Sequence, residues 1–417
     1  MAQNYLVESD IDFVKELKEY GADTLKKCYQ CATCSVVCPI SPDNRPFPRK
    51  EMIAASWGLK DKLVSNVDIW LCHQCGDCSV KCPRGARPGD VLGAVRLHAI
   101  AHYARPKWLA KAVRDPKMLP WLILFPAAVF LVMGLVVGPL VWKLVAPVLN
   151  LVIHSETPLS QAVKLLDFTP DLDAHGRIAH GMFFSSWLVD MIFIPAAIWA
   201  VVVFVLAIRD FVTEMHASSV REGKVKIREL NWVELAKALP RVILPILRHD
   251  KAKECTENKD RATAHMMVLF AFIGLFVVTL IFLAVLWGSM LVLGYEHAWH
   301  SPYSQLNPVK WLANVAGIAL LVGALAMIKN RLSKDESVAK SSYQDWFLIV
   351  LVLALAVTGL GAQMTRLGGA ATLTYWTYFV HLMAVFALFV YLPFTKLAHL
   401  VYRTVALTYA EYAGREN

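Results

Sequence analysis

The sequence predicts an all-α fold in two parts: a helical, cysteine-rich head over residues 1–117 and a bundle of six transmembrane helices over residues 118–417. Three observations point there. Of the 417 residues, 57% are hydrophobic and 18% charged, and the mean hydropathy is +0.46, too apolar for a soluble globule of this length. Eight of the nine cysteines fall between Cys28 and Cys82, whereas long apolar runs begin only near Met118. The 42 Lys and Arg exceed the 33 Asp and Glu by 9. In a membrane chain that excess is a topology signal, so no nucleic-acid partner is expected.

The head comes first in the chain. Met1 to Leu17 is acidic, with Glu8, Asp10, Asp12 and Glu16, and lacks the basic start and apolar run of an export signal. The expected compartment is the cytoplasm, where clustered thiols hold metal more often than they form disulfides. Cys28, Cys31, Cys34 and Cys38 followed by Pro39 spell C-x2-C-x2-C-x3-C-P, and Cys72, Cys75, Cys78 and Cys82 followed by Pro83 repeat it. Three cysteines at this spacing reach three irons of one cubane from a short loop, and the fourth points to the other cluster. This assigns Cys28, Cys31, Cys34 and Cys82 to one four-iron four-sulfur cluster, and Cys72, Cys75, Cys78 and Cys38 to a second. Structural zinc competes, but it uses paired C-x2-C knuckles separated by a long gap. The 33 residues between Cys38 and Cys72 include Arg49 to Trp57 and Leu59 to Leu71, which read as inserted helix.

A duplicated motif with a helical insertion resembles the helical ferredoxin domains of the C component of heterodisulfide reductase and of the iron-sulfur subunits of succinate dehydrogenase and glycolate oxidase. Heterodisulfide reductases cleave disulfides at CCG motifs on another component. Here the ninth cysteine, Cys255, stands alone in a charged loop, so no such site is expected and Cys255 reads as a free thiol.

The six apolar stretches are about Pro120–Trp142, Phe183–Ile208, Met266–Leu293, Trp311–Ile328, Trp346–Met364 and Trp376–Leu400. Each is long enough, at about 1.5 Å per residue, to cross roughly 30 Å of hydrocarbon. Trp121, Trp142, Trp311, Trp346 and Trp376 lie at their ends, as interfacial aromatics do. Loop charge sets the orientation. Arg209 to His265 and Lys329 to Asp345 carry 12 and 4 Lys or Arg, against 3, 1 and 0 in the segments Lys143 to Gly181, Gly294 to Lys310 and Leu367 to Tyr375. Head and C-terminus are both expected in the cytoplasm. Val225 to Leu247 repeats apolar residues among basic ones, which suits a helix on the membrane surface or against the head.

Histidine is costly in lipid and faces the bundle interior for a reason. His381 and His399 are 18 residues apart, five complete helical turns, so one continuous helix would carry both on one face about 27 Å apart. The run from His381 to Pro393, Phe394, Lys396 and His399 resembles the last helix of the cytochrome b gamma subunit of respiratory nitrate reductase. That resemblance implies bis-histidine haem b. It pairs His399 with His265, at the inner edge of the third span. The family's next histidine falls on Leu275 here, so the chain holds either one haem or a second on His381 with another partner. His180 is the first choice for that partner, then His297, His300 and His175. His98, His102, His154, His216 and His249 read as surface or interfacial residues. Asp190, two turns into the second span, is a quinone-site or proton-relay candidate, or a carboxylate satisfied by Ser185 or Ser186. Arg366, Lys310 and Arg177 near the outer face are further quinone contacts to consider.

The order of the two parts is similar to the C component of the quinone-interacting membrane-bound oxidoreductases (Qmo) of sulfate-reducing bacteria. The resemblance implies menaquinone as substrate, an inner-membrane location, flavoprotein and iron-sulfur partners resembling heterodisulfide reductase A (Qmo A and B), and coupling to adenylylsulfate reductase. The same modules would also serve a heterodisulfide-reductase-like or sulfite-reductase-linked complex, electron flow in the opposite direction, or a redox anchor without turnover.

Overall fold

The structure, a computed structural model, describes residues 8–43, 45–153, 164–168, 170, 172–173, 176–225, 227, 229–248, 259–294, 299, 301–333 and 341–415, with backbone alone at 259–261. His154, His175, His249, Cys255, His297 and His300 lie outside the described residues.

In the head, α1 (Ile11–Glu19) starts where the Asp10 side chain accepts from Phe13 N, and it buries Phe13 and Leu17, one turn apart. Four-residue helices α2 (Thr33–Val36) and α6 (Asp77–Val80) follow the two cysteine loops and pack against each other. The interval between the motifs is helical as expected, in α3 (Arg49–Ser56), α4 (Lys60–Val64) and α5 (Asp68–Leu71). Gly58 ends α3 at φ +70°, where a Cβ would meet the Asp10 carbonyl oxygen at 2.7 Å. The longest head helix, α7 (Pro88–Tyr103), packs against α1, α3, α4 and α5, and α8 (Lys107–Ala112) leads to the membrane.

Among the described residues, six helices are long and apolar enough to span a membrane. The first is α9 (Leu119–Val132) and α10 (Gly138–Val152), joined by a π turn at Met133–Val137. A single turn, α11 (His180–Phe183), precedes α12 (Ser186–Arg221). After α13 (Trp232–Arg248) come α14 (Lys259–Leu293), α15 (Pro308–Leu332), α16 (Tyr343–Leu367) and α17 (Ala371–Tyr391); α18 (His399–Tyr412) closes the chain. Among the described residues no strand forms, and one bridge pairs Leu166 with Phe184. Lipid-side apolar residues such as Leu124, Leu140, Ile198 and Val205 are exposed, as a bundle without its bilayer must show. Small residues bring the inner faces together: a Cβ on Gly323 would lie 2.8 Å from Val268, and one on Gly317 3.1 Å from Leu360.

Head and bundle share one core. Trp70 and Tyr103 of the head meet Phe211 of α12 and Tyr402 of α18, with Trp70 stacked on Tyr402 at 5.6 Å. Ala207, Val212, Met215, Ala406 and Tyr409 extend the same cluster. A buried charge network closes its rim. Asp68, fully buried, pairs with Arg415 near the C-terminus and lies 3.6 Å from Lys50 and 3.9 Å from Lys224. Glu51 beside it accepts from Asn66. Burial first, and the Asp68 carboxylate second, push the Glu51 carboxyl up.

Several details differ from the sequence reading. The helix carrying His381 stops at Tyr391, and 3-10 turns at Leu392–Phe394 and Lys396–Ala398 intervene before His399. Pro393 has no N–H to continue the ladder, and Thr395 is extended at φ −93°, ψ 171°. The two histidines therefore do not share one helix, and the sixth span ends at Phe394, short of His399. The first span runs to Val152, so Trp142 is not a terminal anchor but is buried against Trp187. His98 and His216 are buried, the first 2.8 Å from Glu16 and the second bonded to the Tyr409 hydroxyl. The amphipathic loop helix α13 packs on α18 through Leu235 and Ala238 while Trp232 and Leu244 stay exposed.

Trp70→Ala removes the ring on which the shared core closes, and should cost about 3–5 kcal/mol, read as a fall in the melting temperature of the detergent-solubilised chain; a loss below about 1 kcal/mol would mean that the joint does not depend on it. Glu51→Gln tests the network. A raised carboxyl holds its proton in the folded state where the unfolded chain has released it, so stability should fall as pH rises above about 4.5. The glutamine variant should be the more stable one at neutral pH and should lack that part of the slope in pH-resolved melting curves.

Candidate metal centres

The two cysteine loops have the same backbone. Gln30 and Ala32 in the first, and Gln74 and Gly76 in the second, sit two and four residues past the leading cysteine, all with φ between +55° and +102°. This left-handed pair curls each loop around its sulfurs. Gln74 N donates to Cys72 Sγ at 3.3 Å, and Gln30 Nε2 to Cys28 Sγ at 3.3 Å; such N–H···S bonds tune a cluster's potential. Sequence reading missed this role, although the shared glutamine at matching positions was its visible signal.

Cys28, Cys31, Cys34 and Cys82 line one pocket, flanked by Tyr29 and Arg49. Burial first, then the neighbouring Cys28, Cys31 and Cys82, raises the Cys34 thiol to about 11. The second group is Cys72, Cys75, Cys78 and Cys38: burial first, then Cys72 and Cys75, lifts Cys38 to about 12, and Cys78 is raised by burial, Cys72, Cys75 and Cys38. The fourth cysteine of each motif thus stands with the first three of the other. Such crowded thiols ionise only where a cation compensates them. Eight thiols in two open groups fit two four-iron clusters.

The second group is the one beside Trp70, which packs on the bundle residues Phe211 and Tyr402. Arg96 of α7 donates to the carbonyls of Ile69 (2.9 Å) and Cys72 (2.8 Å) and to Gln74 Oε1 (3.0 Å). Gly89 and Gly93 of the same helix leave space for Gln74, where a Gly93 Cβ would come within 3.0 Å of its amide. Arg403 of α18 reaches the Leu71 carbonyl at 3.4 Å. The charges of Arg403 and Arg96 are both felt at His399. Arg403, one helical turn after His399, thus reaches the residue before Cys72.

His399 and His265 meet edge to face with ring centroids 6.1 Å apart. His399 Nδ1 is 2.6 Å from the Lys396 carbonyl; a carbonyl only accepts, so Nδ1 carries the proton and Nε2 keeps its lone pair. His399 Nε2, with its lone pair, and the neighbouring His265 ring are the two imidazoles that would hold a haem iron were one bound. His381 shows the same logic. Thr358 Oγ1 donates to the Ala354 carbonyl and so accepts from His381 Nδ1 at 3.0 Å. Gly359 leaves room beside the ring, since a Cβ there would sit 3.0 Å from His381 Cε1. His180 Nε2 is buried without a partner. Burial first, then Arg366, Lys310 and His381, holds its imidazole down at about 4, neutral as a ligand must be. His265 and His399 together could hold a haem iron, whereas the His180 ring packs against Tyr378 with centroids 4.5 Å apart.

Asp190 accepts from Trp287 Nε1 at 3.1 Å, while the Ser185 hydroxyl accepts from Leu188 N instead. Of the outer cations, Arg177 is paired with Asp173 at 2.9 Å and Lys310 donates to Gln363 at 2.9 Å.

Fold and site together define a multi-pass membrane iron-sulfur protein. Residues 148–416 match the family described as citrate utilization protein B, and the chain belongs to that family. Residues 24–86 match a 4Fe-4S dicluster domain. The head is 35% identical over 100 residues to the C component of the H(2):CoB-CoM heterodisulfide,ferredoxin reductase of Methanothermobacter marburgensis, covering 23% of this chain and 54% of that protein, and matches its Methanothermobacter thermautotrophicus counterpart equally. A protein of Archaeoglobus profundus described as similar to the C component of heterodisulfide reductase is 35% identical over 89 residues, 21% of this chain and 47% of its own. The chain thus spans about half the length of the curated relatives it matches. No solved structure matches it.

Arg96→Ala leaves the Ile69 and Cys72 carbonyls short of a charged donor, at about 1–3 kcal/mol each, and removes a positive charge beside the second cysteine group. The potential of one iron-sulfur centre should fall while the other stays put, read by EPR-monitored titration; equal shifts in both centres would contradict the placement of Arg96.

Proposed function

We propose that the chain is the membrane electron-transfer subunit of a quinone-linked oxidoreductase, with menaquinone as the lipid-side substrate and a flavin- and iron-sulfur-containing protein as the soluble partner. The observation that carries this is the His265–His399 pair at 6.1 Å, joined through Arg403 to the loop of Cys72. In this reading His265 and His399 hold a haem b on the head side, and His180 and His381 hold a second at the far side. Cys72, Cys75, Cys78 and Cys38 hold the inner cluster; Cys28, Cys31, Cys34 and Cys82 hold the outer one. Bound haem and clusters carry single electrons, which a two-electron quinol must release one at a time. The chain's own residues set order and spacing: the Lys396 carbonyl and Thr358 fix the histidine tautomers, and Arg96 braces the inner cysteine loop.

Oxidising a quinol also frees two protons. In this reading Asp190, which accepts from the Trp287 indole, takes one of them. The heterodisulfide reductase likeness of the head supports partners of the reductase A or B type, as in Qmo. Coupling to adenylylsulfate reductase and an inner-membrane site with the head in the cytoplasm rest on the sequence resemblance and the loop charges.

An optical and EPR redox titration of the purified chain should count two b-type haems and two four-iron clusters. His265→Ala should remove one haem and leave the other, and an unchanged haem spectrum would overturn the pairing. Adding a menaquinol analogue should reduce the haems; no reduction would leave a redox anchor without turnover as the better reading.

A further inference from the structure

The two motifs place their short helices side by side, and each carries a valine at the equivalent position. Val36 is 82% and Val80 52% exposed, on helices that pack against each other. Tyr29, also more than half exposed, lies on the rim of the pocket that holds Cys28, Cys31, Cys34 and Cys82, and the Arg84 guanidinium lies 5.8 Å from its ring centre. Cys31 itself is exposed, whereas Cys72 and Cys78 are buried. Lys27, Arg49, Lys81 and Arg84 stand exposed around this apolar centre, with Asp23 and Asp43 the nearby exposed carboxylates. The exposed acids of α1, Asp12 and Glu19, belong to a separate element packed on α7.

We infer that this face, centred on Val36, Val80 and Tyr29 and ringed by Lys81, Arg84 and Arg49, docks a soluble one-electron protein whose own redox centre is surrounded by carboxylates. The inference rests on the reading that electrons cross the head, and deepens it by naming the surface and the charge of the partner. An apolar centre within a charged rim is the anatomy of a transient interface, and the rim charge steers the encounter. A second copy of this chain is disfavoured as occupant, because two basic faces would oppose each other. The exposed Cys31 brings the outer centre to the contact, so an electron passes without rearrangement: in turnover the outer cluster is oxidised by one electron as the docked protein's centre is reduced, and a chemically reduced partner drives the same step in reverse.

The test uses the full chain in detergent and a small acidic ferredoxin, chemically reduced, as probe. Cluster reduction is followed by stopped-flow absorbance. For the native chain the second-order rate should fall steeply as salt is raised. The double variant Lys81→Glu with Arg84→Glu should be at least about tenfold slower at low salt with a flattened salt dependence, while Val36→Asn, which changes no charge, should slow the reaction without changing that dependence. Reduction by dithionite and the cluster EPR should be unaltered in all. Should the double variant lose its EPR signal, Arg84→Gln decides, with a smaller slowing in the same direction. A rate indifferent to salt and to these substitutions overturns the docking face. Failure of a menaquinol analogue to reduce the haems, with ferredoxin docking intact, would strike the quinone reading alone.

Discussion

The stack of Trp70 on Tyr402 is the contact on which the rest of the arrangement turns. Trp70 stands two residues before Cys72, and Tyr402 three residues after His399. Fixing those two rings against Phe211 and Tyr103 therefore sets how far a cysteine loop lies from a membrane histidine. A flexible tether would leave that distance to chance. Here it is held by a core in which large aromatic rings are almost wholly buried, and close-packed interiors do not slide. The buried Asp68 network acts at the same joint. A carboxylate without solvent and with three cations around it is costly to disturb, so the C-terminal Arg415, the α12–α13 connection at Lys224 and the head are tied to one point.

Much of this could be read from the residues. The duplicated C-x2-C-x2-C-x3-C-P run, six apolar stretches and the helical insertion are local patterns with fixed periods, and the structure has the all-α head and six-span bundle they predict. The break after Tyr391 was hidden because Pro393 lies within an otherwise apolar run, and a proline can kink a membrane helix or end it. Nothing local distinguishes the two; the packing of Phe394 and Ala398 into different cores does. The ends of the spans were hard for the same reason. Trp142 has the composition of an interface anchor, but its neighbour Trp187, distant in sequence, makes it part of the interior.

The roles of supporting residues were the least visible. Arg96, Arg403, Thr358 and the Lys396 carbonyl act through atoms that only the folded chain brings near a cysteine or a histidine. Their types carry no signature, since an arginine on a helix is commonly a solvated one. Asp190 illustrates the point from the other side: its isolation in an apolar run marked it at once, but its partner proved to be an indole on the third span rather than a nearby serine hydroxyl.

The break between His381 and His399 has a structural reason to exist. A continuous helix would carry His399 straight on along the axis of α17. Ending α17 at Tyr391 and restarting at His399 lets α18 turn against the head, where Tyr402, Ala406 and Tyr409 join its core. The interruption leaves backbone groups to satisfy, and they are met locally: the Thr395 hydroxyl donates back to the Leu392 carbonyl, and the Lys396 carbonyl takes the His399 imidazole. The Lys396 ammonium in turn pairs at 2.6 Å with the buried Asp345, which also holds Arg331. One buried carboxylate at the start of the fifth span thus anchors the segment that orients His399. Lys396 acts through two groups, its ammonium pairing with Asp345 and its backbone carbonyl fixing the His399 tautomer.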